Sequence, residues 1–174
     1  MQSAPRSIVL IGFMGTGKSS VGRCLARAQG WPHFDTDEMI ESALEMSIPE
    51  IFATLGEERF RDEETRALEQ LDATQRAIVI AGGGAVLRSQ NIRRLRELGT
   101  VVCLTADLAT LSARLANRYD RPLLPVKNRA AQIEALLRER APLYEQAADL
   151  IVDTSSLTHD EVAESIRKSL GLAA

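Results

Sequence analysis

Gly12, Gly17, Lys18 and Ser19 satisfy the spacing G-x-x-x-x-G-K-[ST] within VLIGFMGTGKSSVG, residues 9–22. An aliphatic run precedes these glycines and an amphipathic segment follows, so the pattern sits where it carries meaning, between a strand and a helix. Glycines let the backbone turn tightly and aim several N–H groups at one phosphate, and the positive end of the following helix adds to that field. Lys18 is placed to reach the β- and γ-phosphoryl oxygens of a nucleoside triphosphate, and the Ser19 hydroxyl is a ligand for magnesium. The loop residues expected to hold the nucleotide are Gly12, Met14, Gly15, Thr16, Gly17, Lys18, Ser19 and Ser20. Such a loop serves ATPases, GTPases and small-molecule kinases alike, so it leaves the acceptor open.

Two acids follow in HFDTD. Asp35 and Asp37 are expected at the C-terminal edge of a short strand, where ligands gather in open α/β sheets. Residues two apart in an extended chain face the same way, which would bring both carboxylates into one crevice. Neighbouring carboxylates repel unless cations or hydrogen bonds compensate. A metal and a hydroxylated substrate would do so, with Asp35 ordering magnesium and its waters and Asp37 taking a proton or hydrogen bond from an attacking hydroxyl. Helix capping by an aspartate or by Thr36 is the competing explanation.

Gly82, Gly83 and Gly84 come after AIVIA, where they permit either a steep turn or close approach of a ligand. That run does not end in the aspartate of an ordinary Walker B segment, which leaves Asp35 as the metal-organising acid. Arg61 has Glu57 four residues before it and Glu64 three after it, a spacing that fits surface ion pairs equally well. Arg140 extends the apolar stripe of Ile133 and Leu136 just before Pro142, so it either snorkels at a helix end or answers an anion. Two arginines converging on a carboxylate would recognise it in bidentate fashion. Arg114, Arg118, Arg121, Lys127 and Arg129 form a basic segment, and Arg121 is the residue expected to close over the γ-phosphate.

The elements that must position these groups alternate along the chain. Strands are expected at Ser7–Ile11, Pro32–Asp35, Ala77–Ala81, Thr100–Leu104 and Asp149–Val152, and their continuous Val, Ile and Leu suit a parallel sheet covered on both faces. Amphipathic helices fill the gaps, with capping boxes at Ser47/Glu50 and Thr158/Glu161. The prediction is one α/β domain spanning 1–174, with 116–129 as a loop or lid. At 174 residues, 45% hydrophobic and 26% charged with a net charge of −3, the composition is that of a soluble globular domain. It does not suggest a nucleic-acid or membrane partner. Cys24 and Cys103 are expected as buried thiols of a reducing compartment.

Taken in order, GFMGTGKSSVG, FDTD, LGEERFRDEE, GGGAV, DRPLL and RERAPLYEQAA make the chain resemble the shikimate kinases over nearly its full length. The resemblance implies a P-loop fold whose five-stranded parallel sheet has the order 2-3-1-4-5, with a substrate-binding region near 36–72 and a lid. It implies transfer of the ATP γ-phosphoryl group to the 3-hydroxyl of shikimate with Mg2+, in a cytoplasmic enzyme that is expected to be a monomer. Asp37 then binds substrate hydroxyls and is the proposed base. Arg61 and Arg140 hold the substrate carboxylate, Glu64 supports these arginines, and Gly82–Gly84 offer main-chain contacts. Arg121 is the lid arginine. Arg114 or Arg118, with Thr154 and Ser155, would pack the adenine. Two rivals stand beside this expectation: a kinase for another hydroxylated acid such as gluconate, and a silent domain that senses shikimate or nucleotide.

Overall fold

The computed structural model describes residues 7–118, 120, 122–124 and 127–172. Its strands are β1 (Ile8–Gly12), β2 (His33–Asp35), β3 (Ile78–Ile80), β4 (Thr100–Thr105) and β5 (Leu150–Asp153). They form a five-stranded parallel sheet in the order β2-β3-β1-β4-β5. The expected strands are therefore present, with β1 and β5 shifted by one residue, β2 starting one later, β3 one residue shorter at each end and β4 one residue longer.

Alternate residues of β1 serve opposite faces. Ile8 and Leu10 pack with Val21 and Leu25 of α1 (Lys18–Gln29) and with Val162 and Ile166 of α8 (His159–Ser169). Val9 and Ile11 pack toward Leu68 of α4 (Glu57–Gln70), Leu95 of α5 (Ser89–Leu98), Leu111 of α6 (Leu108–Leu115) and Ile133 of α7 (Arg129–Ala147). A smaller cluster of Ile40, Ile51, Phe60 and Ala67 joins α2 (Thr36–Leu44), α3 (Ile48–Leu55) and α4 away from the sheet. Residues 36–72 thus carry their own apolar support. No described helix is long and apolar enough to cross a membrane.

Register brings the chemistry to one edge. Ile80, the last residue of β3, lies level with Asp35, the last of β2, on one side and with Leu10 on the other, and β1 runs two residues further to Gly12. Their continuations are the glycine loop, the glycine triad and the acidic turn.

Both expected capping boxes form. Backbone and side-chain hydrogen bonds from Thr158 hold the Glu161 carboxyl below its ordinary value of 4.5. A depressed folded-state pKa contributes stability above the unfolded value and loses it as pH falls through the folded one. Thr158→Ala should therefore lower Tm at neutral pH by about 2–4 °C. The gap from the parent chain should narrow below pH 4.5, as read by thermal melts across pH.

Two local expectations are corrected. Asp37 is not on an extended strand, because the chain enters α2 at Thr36. Arg140 is not at a helix end, because α7 continues through Pro142 to Ala147. The missing proline N–H leaves the Arg138 carbonyl without its helical donor, and residue 138 is exposed, so water can serve that carbonyl. Cys103 is buried and its thiol is pushed up to about 11 by burial. Cys24 is only partly buried, against the expectation for it.

Candidate active site

Gly17 adopts φ +91° as the residue ahead of α1, a left-handed conformation that glycine tolerates best. The turn it makes delivers Lys18 and Ser19 to the helix N-terminus, where α1 carries no acidic residue in its first turn to compete for an anion. Lys18 Nζ donates to the carbonyls of Gly12 at 2.8 Å and Phe13 at 3.0 Å, so the ammonium lies across the loop. Thr16 is buried and donates to the Phe13 carbonyl. Met14, Gly15, Gly17, Lys18, Ser19 and Ser20 line a cavity of about 420 Å³ together with Asp35 and Asp37. Gly12 lies behind it, with its would-be Cβ position against the Leu104 backbone.

Asp35 caps a helix and also reaches the phosphate loop. One carboxylate oxygen accepts from the Asp37 backbone N–H at 3.0 Å and caps α2, while the other accepts from the Ser19 hydroxyl at 2.9 Å. The two carboxylates reach one cavity because a cap and the first helical turn follow each other, not because a strand alternates. A hydroxyl bonded to a carboxylate at the edge of a phosphate loop is a hard oxygen donor set. It fits Mg2+, which keeps several waters and takes one or two protein oxygens beside substrate phosphates.

A second cavity of about 60 Å³ adjoins the first and is lined by Arg61, Glu64, Gly84, Arg140, Phe52, Phe60, Pro122 and Leu123 among others. Met14, Asp37 and Gly83 line both cavities. Arg61 is 6% exposed and Arg140 is 3% exposed, so neither is surface decoration. Arg61 donates to Glu64 at 2.6 Å and Glu57 at 2.9 Å. Burial pulls the Arg61 guanidinium down, but the two glutamates outweigh it and hold its pKa above the ordinary value. Burial pushes the Glu64 carboxyl up by more than Arg61 pulls it down, and the neighbouring Asp37 charge pushes the same way. Arg61 Nε, Arg140 Nε and Glu64 Oε1 are buried with no hydrogen-bond partner among the described residues, an arrangement poised for a polar ligand.

The glycine triad makes a turn, closed by the Ala85 N–H donating to the Gly82 carbonyl at 3.0 Å, and the chain's own side chains crowd against it. None of Gly82, Gly83 and Gly84 has a positive φ. A Cβ on Gly82 would stand 2.6 Å from Glu64 Oε1 and 2.7 Å from Asp37 Oδ1, and one on Gly84 would overlap the Arg61 guanidinium. The absence of side chains makes room for the acids and the arginine themselves. The Gly82 N–H donates to the Thr36 hydroxyl at 3.0 Å, which fastens the triad to the start of α2.

Arg114 and Arg118 line the first cavity. Arg114 also donates to the Gly15 carbonyl and to both the hydroxyl and carbonyl of Thr154. Thr154 is buried and Ser155 bonds Asp107 and Asp153, so these two brace the wall rather than line it. Arg118 pairs with Asp120. Arg121 lies outside the described residues. Within 116–129, Leu124 is buried in the main core and Arg129 donates to the Leu115 carbonyl.

Sequence reasoning did not single out His159, Arg23, Glu38 or Tyr144. The first three line the larger cavity, His159 with its ring 3.3 Å from where a Gly17 Cβ would stand. Tyr144 bonds the Gly83 carbonyl. His159 directly follows a helix cap and Tyr144 continues an apolar stripe, so each reads locally as structure.

The family described as shikimate kinase matches residues 14–171. A shikimate kinase of Thermodesulfovibrio yellowstonii is 47% identical over 163 residues, covering 94% of each chain. One from Moorella thermoacetica is 43% identical over 166 residues, covering 95% of each. The structure of the Acinetobacter baumannii shikimate kinase in complex with shikimate superposes with a TM-score of 0.91 at 34% identity, over 95% of this chain and 93% of that one. A Sinorhizobium meliloti gluconokinase, with a TM-score of 0.59 at 19% identity over 98% and 94% of the two chains, shares the fold alone. Motifs, sheet order and relatives agree, and the chain belongs to the shikimate kinase family.

Proposed function

We propose that this chain performs the ATP-dependent phosphorylation of shikimate across the boundary at which its two cavities meet. The observation that carries the reading is the sharing of Asp37 and Gly83 by both. A phosphate loop lies on one side of them, and two buried guanidinium groups lie on the other. ATP occupies the larger cavity, its phosphates cradled by the N–H groups of residues 14–20 and its transferring group neutralised by Lys18. Arg114 or Arg118 flanks the nucleotide base. Ser19 and Asp35 would hold Mg2+, which when bound supplies charge neutralisation on the phosphate oxygens.

Shikimate occupies the smaller cavity with its carboxylate on Arg61 and Arg140. Burial strengthens that recognition, because guanidinium groups already withdrawn from water gain more from an anion than exposed ones do. The fixed carboxylate orients the ring so that one hydroxyl meets Asp37 and points toward the loop. Asp37 accepts the hydroxyl's proton or hydrogen bond as the oxygen attacks the γ-phosphorus in line and ADP departs. Glu64 keeps Arg61 aimed at the acid. Pro122 and Leu123 line the acid side, which supports a lid role for residues 116–129, with Arg121 as the cation that closure brings to the phosphates.

A coupled assay of ADP release with shikimate, quinate and gluconate tests the reading. Turnover should require shikimate, with gluconate failing because it lacks the rigid ring that ties acid to hydroxyl. Equal rates with gluconate, or ADP release unchanged by shikimate, would overturn it.

A further inference from the structure

We propose that the buried hydrogen bond between Thr65 and Asn91 is a positioning contact that sets shikimate affinity, by pinning the turn of α4 that carries Arg61 and Glu64 against the glycine triad. This rests on the reading that Arg61 binds the substrate carboxylate.

Both charged groups of that turn stand very close to the triad. A Cβ on Gly84 would overlap the Arg61 guanidinium, and one on Gly82 would stand 2.6 Å from Glu64 Oε1. With so little clearance, a small slide of α4 displaces the guanidinium from the acid cavity. Leu68 of α4 and Leu95 of α5 share one apolar cluster. Apolar contact is non-directional, so it holds the two helices together without fixing how far one slides along the other.

Thr65 supplies the missing direction. It follows Arg61 by four residues on α4, one helical turn, and adjoins Glu64. Its hydroxyl donates to Asn91 Oδ1 at 2.9 Å, and the Arg61 carbonyl lies 3.2 Å from the same hydroxyl oxygen. Asn91 sits in the first turn of α5, soon after the chain leaves the triad, and is 2% exposed. The bond therefore joins the turn that bears Arg61 to the segment that continues from Gly84. Both side chains are buried, so a slide that broke the bond would strand polar groups away from water. Arg88 ties the same helices at their rim, donating to Asp62 and Glu58, but ion pairs to exposed carboxylates resist displacement weakly. Neither Thr65 nor Asn91 is among the described residues that line the two cavities, so their influence on the substrate must pass through Arg61 and Glu64.

The test is calorimetric titration with shikimate and with ADP, beside a thermal melt, for the parent, Thr65→Val, Thr65→Ser and Asn91→Ala. Valine keeps the branched shape of threonine and removes the hydroxyl. Thr65→Val should weaken shikimate about tenfold, the effect of disturbing one hydrogen bond to a charged group, and leave ADP unchanged. Thr65→Ser returns the hydroxyl and should restore shikimate affinity to within about twofold of the parent. A bond that serves stability alone would give a lower Tm with shikimate affinity intact, and that result would overturn the proposal. So would an equal loss of ADP affinity, or a serine variant that fails to restore binding. In an Arg61→Gln background Thr65→Val should cost less than about twofold, because the residue it acts through is gone, and additive losses would overturn the proposal as well. If instead Arg61→Gln alone leaves shikimate binding intact, the underlying assignment of the carboxylate site falls. Should Thr65→Val not fold, Asn91→Ala breaks the same bond from its other end and leaves the Thr65 hydroxyl the Arg61 carbonyl to donate to. Shikimate affinity must then drop while ADP affinity holds, and an unchanged shikimate constant overturns the proposal.

Discussion

Asp37→Asn should lower kcat by about two to four orders of magnitude, the range typical for removal of a positioned acid–base group. Asparagine keeps the size and hydrogen-bonding capacity of the side chain. The bond that ties this turn to Asp35 runs through the backbone N–H of residue 37 and survives the change. Shikimate and nucleotide affinities should accordingly stay within several-fold of the parent. Stability separates this from a folding defect. The Asp37 charge is one of the groups pushing the buried Glu64 carboxyl up, and removing it relieves a repulsion between two acids. Tm should hold or rise while turnover collapses, a sign that the native site stores electrostatic strain for catalysis. Single-turnover phosphorylation and a thermal melt on the same preparation decide the matter. A variant retaining more than about a tenth of parental turnover would remove Asp37 from the chemistry, since even modest general-base contributions exceed that.

The phosphate loop was legible because its information is local. Residues 9–22 contain the strand, the glycines and the helix start, and Gly17 in its left-handed conformation does what the spacing demands. The strands were legible for a similar reason, since continuous aliphatic runs have few uses besides a buried parallel sheet. Helix α2 was not. It ends at Leu44, and Glu45 takes the left-handed cap at φ 50° where a glycine would have signalled a stop. Without that signal the acids of HFDTD read as the end of a strand.

Arg61 shows the other limit. Its spacing to Glu57 and Glu64 is the same whether the pairs lie in water or in a pocket. What buries it is the triad after β3, and nothing in the local pattern of α4 records that contact. The resemblance to a family supplied what local physics left open at Arg61 and Arg140. Tyr144 stayed hidden because its partner, Gly83, is 61 residues away and offers only a main-chain carbonyl.

Gly84→Ala isolates that non-local dependence, and shikimate affinity should fall about a hundredfold while ADP affinity is unchanged. The φ of −96° at this residue suits alanine, so the backbone raises no objection. The conflict lies entirely with Arg61, whose guanidinium would overlap the new methyl group. A guanidinium is the far end of a flexible side chain, so the clash can be relieved by swinging it aside, and the fold should survive. Swinging aside, however, takes Arg61 from Glu64 and out of the pocket it shares with Arg140. Glu64 would then be left buried with its principal counter-ion displaced, and its carboxyl would be driven further toward the neutral form. Calorimetric titration with shikimate and with ADP reads the split directly. Loss of both ligands together would mean that the triad supports the whole cleft. An intact shikimate constant would mean that the Arg61 guanidinium does not hold the acid at all.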